Sequence, residues 1–198
     1  LKLFGQHRFL ILLLLAIVLT QVLSAALELA WQQELVRALP DAREQNAYSG
    51  NFFAALNAAA AVGQFCAAPL LLRWLPATWV LLAVPLANAL CCGVLLGSPG
   101  LSATAGAYLF FKSVDYSVFK AAKELLYIPC GFDVRYRAKE VIDVLGYRVG
   151  KGAVALGFIG VVLATRSFAA ISLAATLLWA LVMLPLAWST RRKLPSGT

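Results

Sequence analysis

Charge is scarce in this sequence. Asp, Glu, Lys and Arg make up 13% of its 198 residues, against roughly 25% in ordinary soluble domains. In their place 62% of residues are hydrophobic, and the mean hydropathy is +0.81. A soluble fold of this size has no way to hide so much apolar surface, whereas a bilayer, whose core is itself apolar, makes hiding unnecessary. Histidine is nearly absent: His7 stands alone before the first apolar run, with no metal partner near it. The four cysteines, Cys66, Cys91, Cys92 and Cys130, include no C-x-x-C pair, which speaks against a zinc site or a disulfide framework and makes them small packing residues. There is no Ser/His/Asp set and no pair of catalytic carboxylates, so an enzyme is not expected, and neither is a cofactor or a metal. Acids are the scarcer sign, nine against seventeen Lys and Arg, for a net charge of +8. No basic stripe with interleaved aromatics accompanies that excess. Nucleic acid is therefore not the expected partner, and the cytoplasmic loops of a membrane protein are the natural place for the cations.

Long apolar runs are what the sequence has in quantity. A spanning helix needs about 20 apolar residues, and six segments qualify, near 9–31, 52–72, 78–96, 103–128, 141–165 and 168–188. The connections are short except for 32–50 and 129–140, and Pro40-Asp41, Ser49-Gly50, Pro76 and Ser98-Pro99-Gly100 read as breaks between spans. Lys2 and Arg8 before the first run, with Ser24-Ala25-Ala26 inside it, have the parts of a signal peptide. The apolar pattern continues through Leu27, Leu29, Ala30 and Trp31, however, which predicts a retained helix. One set of ends holds Lys2, Arg8, Arg73, Arg135, Arg137, Lys139, Arg191, Arg192 and Lys193, and the other holds Arg37, Arg43 and Arg166. That imbalance places both termini in the cytoplasm. The expectation is an all-α, polytopic membrane bundle of about six transmembrane helices, forming a single domain over 1–198 and lying in the lipid bilayer.

Polar residues interrupt the spans in a pattern. Gln21, Ser24, Glu28 and Gln32 recur at helical spacing on the first span, and Asn57 and Gln64 share a face of the second among many alanines. Those amides suit hydrogen bonds between helices. On the fourth span Lys112, Tyr116, Lys120, Lys123 and Tyr127 recur at steps that keep them within about 80° on an ideal helix, flanked by Asp115 and Glu124. The fifth carries Asp143, Tyr147, Arg148 and Lys151, with Gly146, Gly150, Ala153 and Gly157 forming a small-residue face for close helix approach. A charge at the bilayer centre costs from about 2.5 kcal/mol upward, so such a stripe must face a cavity, a bound anion or opposite charges. Lys112, Lys120, Lys123, Arg148 and Lys151 outnumber Asp115, Glu124 and Asp143 by two. The first five are the expected substrate-binding residues, for a phosphate or carboxylate. The three acids are the expected gating and ion-pair residues. Arg135, Arg137 and Lys139 read as ordinary loop charges. Gly146–Lys151 is one residue short of a phosphate loop and no strand precedes it.

The run Tyr116-Ser117-Val118-Phe119-Lys120-Ala121-Ala122-Lys123-Glu124-Leu125-Leu126-Tyr127-Ile128-Pro129 resembles a signature of the bacterial and plastid ATP/ADP carrier family. The likeness continues through Tyr136-Arg137-Ala138-Lys139-Glu140-Val141-Ile142-Asp143-Val144 and Gly150-Lys151-Gly152. Lys123, Glu124, Asp143 and Lys151 fall on motif positions. Lys120 does not, and Gly152 stands where the family has Ser. The resemblance implies a fold like the major facilitator superfamily, of which six spans would form the C-terminal half, and exchange of nucleotides across a bacterial inner membrane or an organelle membrane. A second six-helix half, or a larger membrane complex, would be the partner. The alternative is a non-transporting accessory subunit of such a complex, built from a facilitator-like half with its charges locked in salt bridges.

Overall fold

The computed structural model describes residues 8–128, 136, 139, 140, 142, 144, 146, 148, 150, 152 and 165–191. Five long helices carry most of them: α1 (Arg8–Ala38), α2 (Ala42–Trp74), α3 (Ala77–Gly97), α4 (101–127) and α5 (Thr165–Arg191). The described residues between 139 and 152 are helical as well. Among the described residues there is no strand; a helix is one of the few ways for a chain in lipid to pair its backbone N–H and C=O groups internally. The expected all-α membrane bundle is borne out. By length and apolarity α1, α2, α3 and α5 can each cross a bilayer. α4 is not among these four, because Lys112, Asp115, Lys120, Lys123 and Glu124 all lie on it.

The segment 32–50 is a correction. It reads as a loop long enough for structure of its own, yet α1 continues to Ala38 and α2 begins at Ala42, so Ser49-Gly50 is helical. Pro40 lacks the N–H to extend α1. Asp41, in extended conformation, caps α2 by accepting a hydrogen bond from the Arg43 N–H at 3.0 Å. At the same end of the bundle Thr165 donates to Glu34, and Arg37 reaches both Glu34 (2.9 Å) and the Thr165 hydroxyl (3.2 Å). The C-terminal end of α1 is thereby tied to the start of α5.

One apolar core runs through α1, α3, α4 and α5, with Trp179, Phe111, Leu23, Leu27, Leu81 and Leu95 among its fully covered side chains. Phe119 of α4 meets Trp179 of α5 edge to face at 5.0 Å. The helix that holds Gly146 and Gly150 lies against α1: a Cβ on Gly146 would come within 2.8 Å of Ile17, and one on Gly150 within 2.6 Å of Gln21. Gly146 and Gly150 of the expected small-residue face do bring the two helices together, while Ala153 and Gly157 lie outside the described residues. The matching order of 146 with 17 and 150 with 21 makes that helix run parallel to α1.

Two wide, π-type turns interrupt the helices, Gly63–Ala67 in α2 and Asp115–Phe119 in α4. They touch. A Cβ on Gly63 would lie 2.6 Å from the Ser117 hydroxyl oxygen, which itself donates to the Ser113 carbonyl at 2.5 Å. A turn closed by i→i+5 hydrogen bonds advances less per residue than an α turn, so it changes which side chains share a face.

Candidate functional site

α4 carries the charged centre because its sequence places ionisable groups at helical spacing inside an apolar span. Lys112, Asp115 and Lys123 are buried, at 5%, 4% and 4% exposure. The Lys112 ammonium donates to the Tyr116 hydroxyl at 3.3 Å, and it lies 5.0 Å from the Tyr116 ring centroid and 5.9 Å from that of Tyr108. Such aromatic faces attract a cation electrostatically. Asp115 lies within electrostatic reach of Lys112, Lys123 and Lys120. Its Oδ1 is buried without a hydrogen-bond partner among the described residues. A buried acceptor left unmatched is costly, by about 1–3 kcal/mol and more when charged.

The expected stripe is divided. Lys112, Lys123 and Tyr127 are buried, but Tyr116 and Lys120 are exposed. The wide turn at Asp115–Phe119 lies in the middle of the stripe, and it breaks the spacing that an uninterrupted α-helix would have kept. Arg148 is also exposed. Glu124, four residues after Lys120, pairs with Lys139. Lys139, read as a loop charge, is in fact helical, and its ammonium lies 5.9 Å from the Tyr127 ring centroid. Asp143 and Lys151 lie outside the described residues.

Two features escaped the sequence reading. Glu28 of α1 is half-buried and lies near Tyr108, one helical turn before Lys112. The spacing of 108, 112 and 116 held the signal that the stripe begins a turn earlier. Tyr108 also belongs to an aromatic cluster drawn from three helices. Trp31 stacks on Phe52 at 4.6 Å, Phe52 stacks on Tyr108 at 5.7 Å, and Phe53 meets Trp31 edge-on at 5.6 Å. Nothing in the local sequence joins these rings. The amides of Asn57 and Gln64, expected to join helices of this bundle, are instead exposed.

Comparison with known proteins bears out the family resemblance. Residues 100–194 match the model of the TLC ATP/ADP transporter family. The chain is 27% identical over 110 residues to ADP,ATP carrier protein 4 of Rickettsia felis, covering 53% of this chain and 22% of that protein. It is 38% identical over 80 residues to ADP,ATP carrier protein 1 of Rickettsia bellii, covering 34% of this chain and 16% of that protein. The chain thus spans about a fifth of the length of these curated relatives. No solved structure matches it.

Proposed function

We propose that this integral membrane chain forms half of a carrier that exchanges organic anions, specifically nucleotides of the ATP/ADP type. The observation that carries this reading is the pair of buried ammonium groups, Lys112 and Lys123, on α4, inside the region that matches the transporter family. A membrane helix keeps buried lysines where they serve an ion or substrate path. Lys112 and Lys123 hold the phosphates. Lys120, exposed beside them, draws the anion in, and Arg148 and Lys151 assist. When the site is empty, Asp115 balances Lys112 and Lys123, and the incoming anion takes its place. Glu124 and Asp143 act in gating, with the Glu124–Lys139 pair as the contact that opens. Alternating access comes from rocking this half against a second half or a second copy, with the substrate between them near the midplane.

Six crossings with both termini in the cytoplasm fit the packing. With antiparallel neighbours across the short connections, α4 ends on the side opposite the end of α1. The Glu34–Thr165 contact puts the start of α5 back at the end of α1. A helix parallel to α1, with Gly146 beside Ile17 and Gly150 beside Gln21, supplies the missing crossing.

The test is uptake of labelled ATP into proteoliposomes loaded with ADP. The expected result is exchange that falls at least about tenfold in Lys112→Ala, the equivalent of one buried charged contact near 1.4 kcal/mol. Absence of exchange, or exchange unaffected by Lys112→Ala and Lys120→Ala, overturns the proposal.

A further inference from the structure

The open face of α2 is unexpected in a spanning helix. Phe53 is 43% exposed, Asn57 is exposed one turn further on the same face, and Gln64 is exposed in the wide turn beyond. An amide facing hydrocarbon has nothing to bond to, at a cost of about 2–7 kcal/mol. A face of this composition suits a path that holds water or a polar ligand. Phe53 is also the exposed member of the aromatic cluster, which leads through Phe52 and Tyr108 to the ammonium of Lys112. Buried in the same cluster, the indole Nε1 of Trp31 has no acceptor among the described residues.

We infer that Phe53 and Asn57 form a nucleobase subsite, with the phosphates of the same ligand at Lys112. The inference rests on the nucleotide-carrier reading and adds what distinguishes a nucleotide from a bare polyphosphate. Aromatic rings stack on any base through its π face. An Asn amide, with one acceptor and two donors, matches the neighbouring donor and acceptor on a purine edge. Phe53 and Asn57 are one turn apart, so a base stacked on the ring presents its edge to the amide. Tyr108 links the two ends of the site, one of its neighbours being the aromatic cluster and the other Lys112.

The experiment is calorimetric binding to the protein in nanodiscs, with ATP and inorganic tripolyphosphate as probes. The expected result is that Phe53→Ala and Asn57→Ala each weaken ATP binding by about tenfold, as loss of one stacking or bidentate contact would, while tripolyphosphate binding changes by less than about twofold. Phe53→Trp restores ATP affinity, because an indole stacks at least as well. Asn57 is open to the surface, so Asn57→Ala keeps the core, and Phe53→Trp keeps a ring against Trp31 and Phe52. If tripolyphosphate binds as tightly as ATP, or if Phe53→Ala and Asn57→Ala lower both affinities equally or neither, the base subsite is overturned and the anion carrier stands. If neither probe binds, or both bind undiminished to Lys112→Ala, the carrier reading falls and the base subsite with it.

Discussion

At the scale of single residues, the tightest contacts are made where there is no side chain. Gly63 meets Ser117 where the two wide turns touch, and any Cβ there would come within 2.9 Å of the Ser117 Cβ. Overpacking of this kind costs about 1–3 kcal/mol. Gly63→Ala is expected to lower thermal stability in detergent, followed by circular dichroism, by that amount. Gly93→Ala, where nothing lies within 4 Å, is expected to leave stability unchanged or raise it. Pairing Gly63→Ala with Ser117→Gly removes the opposing atoms and should recover most of the loss. Additive losses in the double variant would mean that the two turns do not touch. Lys112 and Asp115 were legible as functional candidates because ionisable residues are rare in apolar spans. Lys139 was not, because a cation in a loop-like stretch has no local mark of the carboxylate it will meet.

At the scale of elements, caps and breakers decide where the helices stop. The connection between α1 and α2 shrinks to three residues, Leu39, Pro40 and Asp41, because α1 and α2 both continue through sequence that hydropathy assigns to a loop. Asp41 is exposed, and its side chain accepts from the Arg43 N–H. Asp41→Ala is expected to cost about 0.5–2 kcal/mol and to speed hydrogen exchange of amides in the first turn of α2, while Asp41→Asn, which keeps an acceptor, should do so much less. Unchanged exchange in Asp41→Ala would show that the helix start is held by other contacts. The same scale explains the divided stripe of α4. Spacing along a chain predicts a shared face only while every turn is the same, and one wide turn between Lys112 and Lys120 ends that regularity. It sits against a second wide turn in α2, a partner that local spacing does not announce.

At the scale of the whole molecule, the proposed orientation, with both termini in the cytoplasm, rests on nine cationic residues at one set of ends against three at the other. With native cysteines replaced, Ser98→Cys is expected to react with an impermeant maleimide from outside the cell, and Arg73→Cys only after permeabilisation. The reverse pattern would invert the orientation and the sidedness of transport. The exposed Phe53, Asn57 and Gln64 belong to this scale too, because none of the described residues covers them.

Composition and hydropathy alone determined that the chain is helical and lives in a bilayer, since hydrocarbon leaves the backbone few ways to pair its polar groups. The spacing of charges and the carrier-like motif marked α4 as the element that matters. Which charges are covered and which are open, which carboxylate meets which ammonium, and how four rings from three helices, Tyr108 among them, come to form one cluster were decided only by the tertiary structure. These depend on the phase of each helix against its neighbours, and a single wide turn, or a glycine that lets two backbones close, resets that phase with little trace in the local pattern of residues.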